Sequence, residues 1–310
     1  MTGFGLIVRF RLDVIFTFVL LQRMAIVRGS SPSSAPGPYT SVAALDKFGN
    51  SVQLRNAKLA SSLHGSLVVA CVATLDHAIV VCRVDRSFPG RKDTDSSVIQ
   101  IIGLQEDVLE SERRNIVALV CSGITADAVL LRSLLREQAR RIWERYGVTT
   151  PVNRLCDSLS EVLLSFMQYD RSRELNDGTG PVIVDKDFRM ARPFGVDTLV
   201  LGVDGPIVKE ENHKYNKNPI LIHVDAAGVQ HVLTAKALGK RSATAEKILK
   251  DLYTNNMTVQ QAKDACIKAI RKVILEAEAA SDISSNTHSI RCDILDASGV
   301  NSNVENLIIV

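Results

Sequence analysis

Residues able to do chemistry are scattered along this chain, and their spacing argues against most familiar reactions. The six cysteines, Cys71, Cys82, Cys121, Cys156, Cys266 and Cys292, include no CxxC pair. Five of them lie inside apolar strand or helix patterns, so they read as reduced core thiols and not as a disulfide framework or metal site. His64, His77, His213, His223, His231 and His288 are singletons. None has a second ligand at metal spacing, which predicts structural or surface roles. Asp197, Asp204 and Asp225 fall at strand ends and turns, where aspartate satisfies backbone N–H groups, instead of forming an acid/base set. Gly202-Val-Asp-Gly205 is not followed by Gly-Lys-Ser/Thr and a helix, so it is no phosphate loop. Lys92, Arg140, Arg141 and Arg145 read as solvated charges. No catalytic, cofactor-binding or metal-binding set is expected.

The bulk properties point the same way. Net charge is +3, with acidic and basic residues mixed along the chain, so charge gives no support for a nucleic-acid partner. At 310 residues and 46% hydrophobic composition the chain has ample material for a buried core. Val14 to Leu21 is apolar, but Arg9, Arg11 and Asp13 precede it and Gln22-Arg23 follows. The uninterrupted stretch of about 20 residues that a membrane span needs is missing there. Residues 1–36 are open to three readings: a signal or transit peptide, an extra peripheral segment, or an upstream extension with Met24 as the start. Ser30 to Pro38 is Ser/Pro-rich and marks a linker, so residues 37–310 are expected to form a single domain.

The elements that must position these side chains follow from periodicity. Gln53 to Leu63 carries apolar residues near helical spacing and reads as an amphipathic surface helix. Ser66 to Thr74 and His77 to Val84 are β-branched runs split by Leu75-Asp76, a hairpin spacing. Val98 to Ile102 and Ile116 to Cys121 are further strand candidates, with the charged Gln105 to Arg114 between them. From Ser122-Gly-Ile-Thr-Ala-Asp127 the period becomes helical up to Gly147, for roughly five turns; Asp127 suits the first turn and Gly147 the stop. Pro151 starts a second helix, making a helical hairpin. Residues near 171–189 and 205–219 are polar insertions. Thr198 to Val203, Ile220 to Val224 and Val229 to Ala235 read as strands. Ser242 to Tyr253 is a third helix of the main set, and Thr258-Val-Gln-Gln261 is a capping box opening a fourth. Ile290 to Leu295 and Leu307 to Val310 are late strand candidates. Strands, two helices, strands, two helices, strands is an α+β order whose helices can cover both faces of stacked sheets.

Three patches resemble one family. Ser122-Gly123-Ile-Thr125-Ala126-Asp127-Ala128 follows a strand; Arg192-Pro193-Phe194-Gly195-Val leads into a strand ending Gly-Val-Asp204; Asp225-Ala-Ala-Gly228 makes a turn and Lys236-Ala-Leu-Gly239 a strand exit. In that order they resemble the α-type subunits of the proteasome core particle, from about Tyr39 to the end of the chain. The family's usual opening is replaced by Tyr39-Thr-Ser and Gln53-Leu-Arg-Asn-Ala57, a divergent N-terminus.

The resemblance implies a four-layer α/β/β/α sandwich, the N-terminal nucleophile hydrolase fold, with two antiparallel sheets between helical layers. Active members of that fold attack with the first residue of the processed chain, using its own α-amine as base. The corresponding step here is His64-Gly65-Ser66-Leu67, and Ser66 follows an apparent helix instead of a disposable leader, so it reads as a strand-start serine. The strand expected to supply an acid reads Val81-Cys-Arg-Val84-Asp85, closer to the α-type pattern. The implied role is a non-catalytic subunit of a seven-membered α ring, touching other α and β subunits and regulatory cap particles. Ubiquitin-dependent protein degradation in cytoplasm and nucleus comes with that role, and no membrane or nucleic acid. Tyr39 marks a possible gate segment. Arg140, Arg141 and Arg145 gain a second reading as contacts to a ring neighbour. Two rivals stand beside it: an active hydrolase using Ser66, and a catalytically dead copy of the fold recruited to another, organellar assembly.

Overall fold

The first hairpin sets the geometry. β1 (Val68–Ala73) and β2 (Ala78–Arg86) pair antiparallel, with Val68 opposite Arg83 and Ala73 opposite Ala78. Every residue of β1 is buried, because the strand is covered on both faces: alternate side chains must then enter two different cores. Val69, Cys71 and Ala73 enter one apolar cluster, and Val68, Ala70 and Val72 enter another. This is a computed structural model, and it describes residues 49, 51–86, 98–102, 116–147, 149–167, 192–204, 218–279, 288–296 and 299–305, which belong to the compact unit Val42–Val310. The readings placed on residues 1–36, Tyr39, Lys92, His213, Gln105 to Arg114, the segment 171–189, positions 205–217 of the segment 205–219 and Leu307 to Val310 lie outside the described residues.

Among the described residues, two antiparallel sheets of five strands each carry the fold. The first has the order β10 (Gly299–Glu305), β9 (His288–Asp296), β2, β1, β8 (Ala235–Leu238). The second runs β3 (Gln100–Ile101), β4 (Ile116–Gly123), β5 (Val196–Asp204), β6 (Asn218–Val224), β7 (Gln230–Leu233). One cluster, with Val68, Ile79, Val120, Leu199 and Leu221, fills the space between the sheets. A second lies between the first sheet and helices α4 (Ser242–Leu252) and α5 (Val259–Ala279). A third lies between the second sheet and α2 (Thr125–Tyr146) and α3 (Val152–Met167). The α/β/β/α sandwich expected from the sequence is the architecture observed.

Local signals placed the helices well. α1 (Val52–His64) starts at Ser51, whose hydroxyl accepts from Leu54 N at 3.3 Å, and buries only Ala57 and Ser61, as a surface helix should. α2 stops at Gly147, which is left-handed at φ 65° and donates to Trp143 O. The capping box of α5 closes in both directions: Thr258 N donates to Gln261 Oε1 at 3.0 Å, and Gln261 N to Thr258 Oγ1 at 3.3 Å.

Four expectations are corrected. His77 does not begin a strand; it lies in the turn at φ 49°, and β2 starts at Ala78. That turn is shaped by its docking, since Asp76 Oδ2 accepts from Val259 N at 2.6 Å and Thr74 Oγ1 from Asn256 N at 3.1 Å. Val229 to Ala235 is not one strand: β7 ends at Leu233, and the chain crosses to the other sheet as β8, with Thr234 O accepting from Val72 N at 2.8 Å. Val98 and Ile99 leave the strand pattern because both their N–H groups donate to the buried Asp293 carboxylate, at 2.5 and 3.1 Å. The reading of six reduced thiols fails for two of them. Cys82 and Cys292 stand opposite each other in the β2–β9 register and are disulfide-bonded. Sheet pairing unites residues 210 positions apart, which no local spacing reports.

Candidate functional site

Two of the patches singled out in the sequence, at Ser122 and at Gly239, meet the Gly65-Ser66 step between α1 and β1. Gly65 N donates to Ser61 O at 3.0 Å, closing the end of α1. Gly65 O accepts from Lys240 N at 3.0 Å. Ser122, on β4 of the opposite sheet and buried, donates its hydroxyl to Ser66 O at 2.7 Å. Crowding explains the small residues around this step. A Cβ on Gly65 would sit 2.3 Å from Ser122 Oγ, and one on Gly239 would sit 2.1 Å from Ser66 O and 2.5 Å from Ser122 Oγ. Gly239 also holds φ 83°, which a side chain disfavours. Ser66 itself is exposed.

One layer out, Asp127 and Arg192 fix the second strand of the frame. Asp127 is 4% exposed and accepts from Arg192 Nη1 at 2.7 Å, Arg192 Nη2 at 2.8 Å and Gly195 N at 2.9 Å. The bond from Asp127 outweighs partial burial and raises the Arg192 pKa above its ordinary value. Such two-point pairing of guanidinium and carboxylate is directional as well as strong. Gly195 O in turn accepts from Ile124 N at 3.0 Å, next to Gly123. Pro193 is buried, and Phe194 is fully buried, edge-on to Phe166 at 4.7 Å between ring centroids. Thr125 and Ala126 are exposed in the first turn of α2.

The third patch lies on the turn after β6. Asp225 Oδ1 accepts from Ala227 N at 2.9 Å and Val229 N at 3.0 Å, its Oδ2 accepts from Lys58 Nζ of α1 at 2.8 Å, and Gly228 completes the turn at φ 78°. Burial alone would raise the Asp225 pKa, but the Lys58 ammonium and the two N–H groups prevail and hold it below its ordinary value. Lys236 on β8 pairs with Glu246 of α4 at 2.7 Å. Side-chain bonds in this region thus link α1 to the turn after β6, and β8 to α4.

Groups that could have served as an acid or base are engaged elsewhere. Asp85 accepts from Arg83 Nε at 2.7 Å and lies 3.5 Å from Arg291 Nε. Asp197 holds His223 Nε2 at 2.7 Å, and His231 stacks on His223 with centroids 6.1 Å apart. The sequence reading treated those histidines as singletons; β5, β6 and β7 bring them together with Asp197, which their separation in sequence hides. Among the described residues no group of three or more His, Cys, Asp or Glu has the geometry to hold a metal ion, and no helix is long and apolar enough to cross a membrane.

Comparison with known proteins agrees with this geometry. The family described as "Proteasome subunit" matches residues 182–285. Proteasome subunit alpha type-5 of Dictyostelium discoideum is 26% identical over 161 residues, covering 51% of this chain and 57% of that protein. Proteasome subunit alpha type-5 of Trypanosoma brucei brucei is 24% identical, covering 64% of this chain and 66% of its own length. Proteasome subunit alpha type-2 of Oryza sativa subsp. indica is 25% identical, covering 62% and 66% respectively. The chain thus spans less than two thirds of the length of each of these three relatives. With the sandwich and the order of the three patches, these likenesses make the chain similar to the α-type proteasome subunits at 24–26% identity.

Proposed function

We propose that this chain is a non-catalytic, structural α-type subunit of the proteasome core particle. In this reading it packs into a seven-membered outer ring, docks on the catalytic β ring and on regulatory cap particles, and serves ubiquitin-dependent degradation in cytoplasm and nucleus. A segment around Tyr39 contributes to the entrance. The observation that carries the reading is the Gly65-Ser66 step. An N-terminal nucleophile needs a free α-amine beside its hydroxyl. Here the segment before Ser66 is the folded helix α1, and the Gly65 carbonyl that joins it to Ser66 is held by Lys240 N. Asp85, on the strand expected to supply an acid, is held by arginine.

The test is affinity purification of the full chain under native conditions, with size-exclusion chromatography and identification of the co-purifying chains. The expected result is a very large particle containing other α and β subunits, each contact of the 1,200 Å² class or larger that stable interfaces need, to order of magnitude. A lone monomer overturns ring membership. A mature chain that begins at Ser66 and is labelled there by a covalent peptidase inhibitor overturns the non-catalytic role. A particle of other composition, seen in an organelle by microscopy of a tagged chain, favours the recruited-copy reading.

A further inference from the structure

Four of the six cysteines share the core between the first sheet and helices α4 and α5. Cys82 and Cys292 are bonded across β2 and β9, with Cα atoms 4.2 Å apart. Cys71 on β1 and Cys266 on α5 are free, buried and hydrogen-bonded to each other. These two pairs are chemically unequal. The hydrogen bond with Cys71 and then burial push the Cys266 thiol well above its ordinary pKa. It stays protonated, and thiol–disulfide exchange requires a thiolate. Cys266 is therefore a poor attacker of the Cys82–Cys292 bond.

The place of that bond gives it a consequence. β9 and β10 form the end of the first sheet, and β9 joins the remainder of that sheet through β2. We propose that Cys82–Cys292 is a reversible redox latch that fixes the β9–β10 ribbon to β2. Closing it takes one hydrogen from each thiol, forms one S–S bond, and reduces a disulfide oxidant such as oxidised glutathione to two thiols. Opening reverses this with a thiol reductant. Both cysteines are 0% exposed, so a reagent reaches them only when the ribbon parts locally from β2. Redox state and ribbon opening are then linked: the open ribbon admits reductant, and the bonded ribbon opens less. The latch operates whether or not the chain sits in a ring.

The experiment uses the full chain, treated with oxidised or reduced glutathione, with thiols blocked before non-reducing peptide mapping and hydrogen exchange followed by mass spectrometry. Oxidation should lower the mass by about 2 Da and yield a single cross-linked pair containing Cys82 and Cys292, with Cys71 and Cys266 blocked only after unfolding. Exchange across residues 288–305 should slow by roughly tenfold and recover on reduction. Cys82→Ala and Cys292→Ala should each abolish the dependence, and Cys71→Ala should keep it. Six free thiols after oxidant, a different pairing, or equal exchange at 288–305 in the two states overturns the proposal. The wild-type comparison decides the matter even where a variant fails to fold.

Discussion

Asp127 and Arg192, 65 positions apart in the chain, meet in a two-point ion pair whose carboxylate also receives the N–H of Gly195. One buried side chain thereby ties the start of α2 to the loop that enters β5. Asp127→Ala strands the Gly195 N–H and the guanidinium, and bonds of this charged kind are worth about 1.5–3 kcal/mol each in net terms. Arg192 is half-exposed and recovers water, so the total loss should be about 2–3 kcal/mol. Urea denaturation of Asp127→Ala, Arg192→Ala and the double variant measures it. The two single losses should sum to clearly more than the double.

Gly239→Ala tests the crowding at Ser66. The new methyl meets Ser66 O and Ser122 Oγ and sits on a backbone at φ 83°. Strain and overpacking together should cost about 3 kcal/mol or more. Ser122→Ala removes one hydroxyl and its bond, and should cost about 1 kcal/mol. Adding Ser122→Ala to Gly239→Ala should recover part of the loss, because one of the two obstructing atoms is gone. Thermal unfolding of the three proteins reads this directly.

Acid sensitivity should trace in part to Asp225. Its folded-state pKa lies below the ordinary 3.8, so it contributes stability that is present above the unfolded value and lost as pH falls through the folded one. Asp225→Asn should therefore flatten the stability curve from about pH 5 downward and leave its slope near pH 7 unchanged. Lys58 is largely exposed, so the part owed to that ion pair should shrink in salt.

Thr258→Ala breaks the capping box of α5. Loss of such a cap costs about 1 kcal/mol. The cost should appear as faster hydrogen exchange in the first turn, at 259–262, before it appears elsewhere. Asp76→Ala should act on the same turn from outside, since Asp76 accepts from Val259 N.

Much of this architecture was readable because it is locally encoded. Gly147, Pro151, Thr258 and Gln261 act within one helical turn of themselves, and the structure places each where its chemistry predicts. The strands in the two central runs, β1 and β5, are continuous apolar segments that only a doubly covered sheet uses. The three patches were visible, but the meeting of Ser122 and Gly239 at Gly65-Ser66 was not, because it depends on which strands become neighbours. The same blindness applies to Cys82 with Cys292 and to Asp197 with His223 and His231. β10 was missed for a different reason: Gly299–Glu305 is polar and shows no apolar alternation, so only its pairing with β9 makes it a strand.

The crossing at Thr234 has a mechanical meaning. β7 belongs to one sheet and β8 to the other, with a single residue between them, so at that corner the sheets are bound like facing pages at a spine. Sliding of one sheet past the other would have to be absorbed within one peptide unit, whereas splaying at the opposite margin would not. Any remodelling of this chain should therefore swing about that corner and not shear through it.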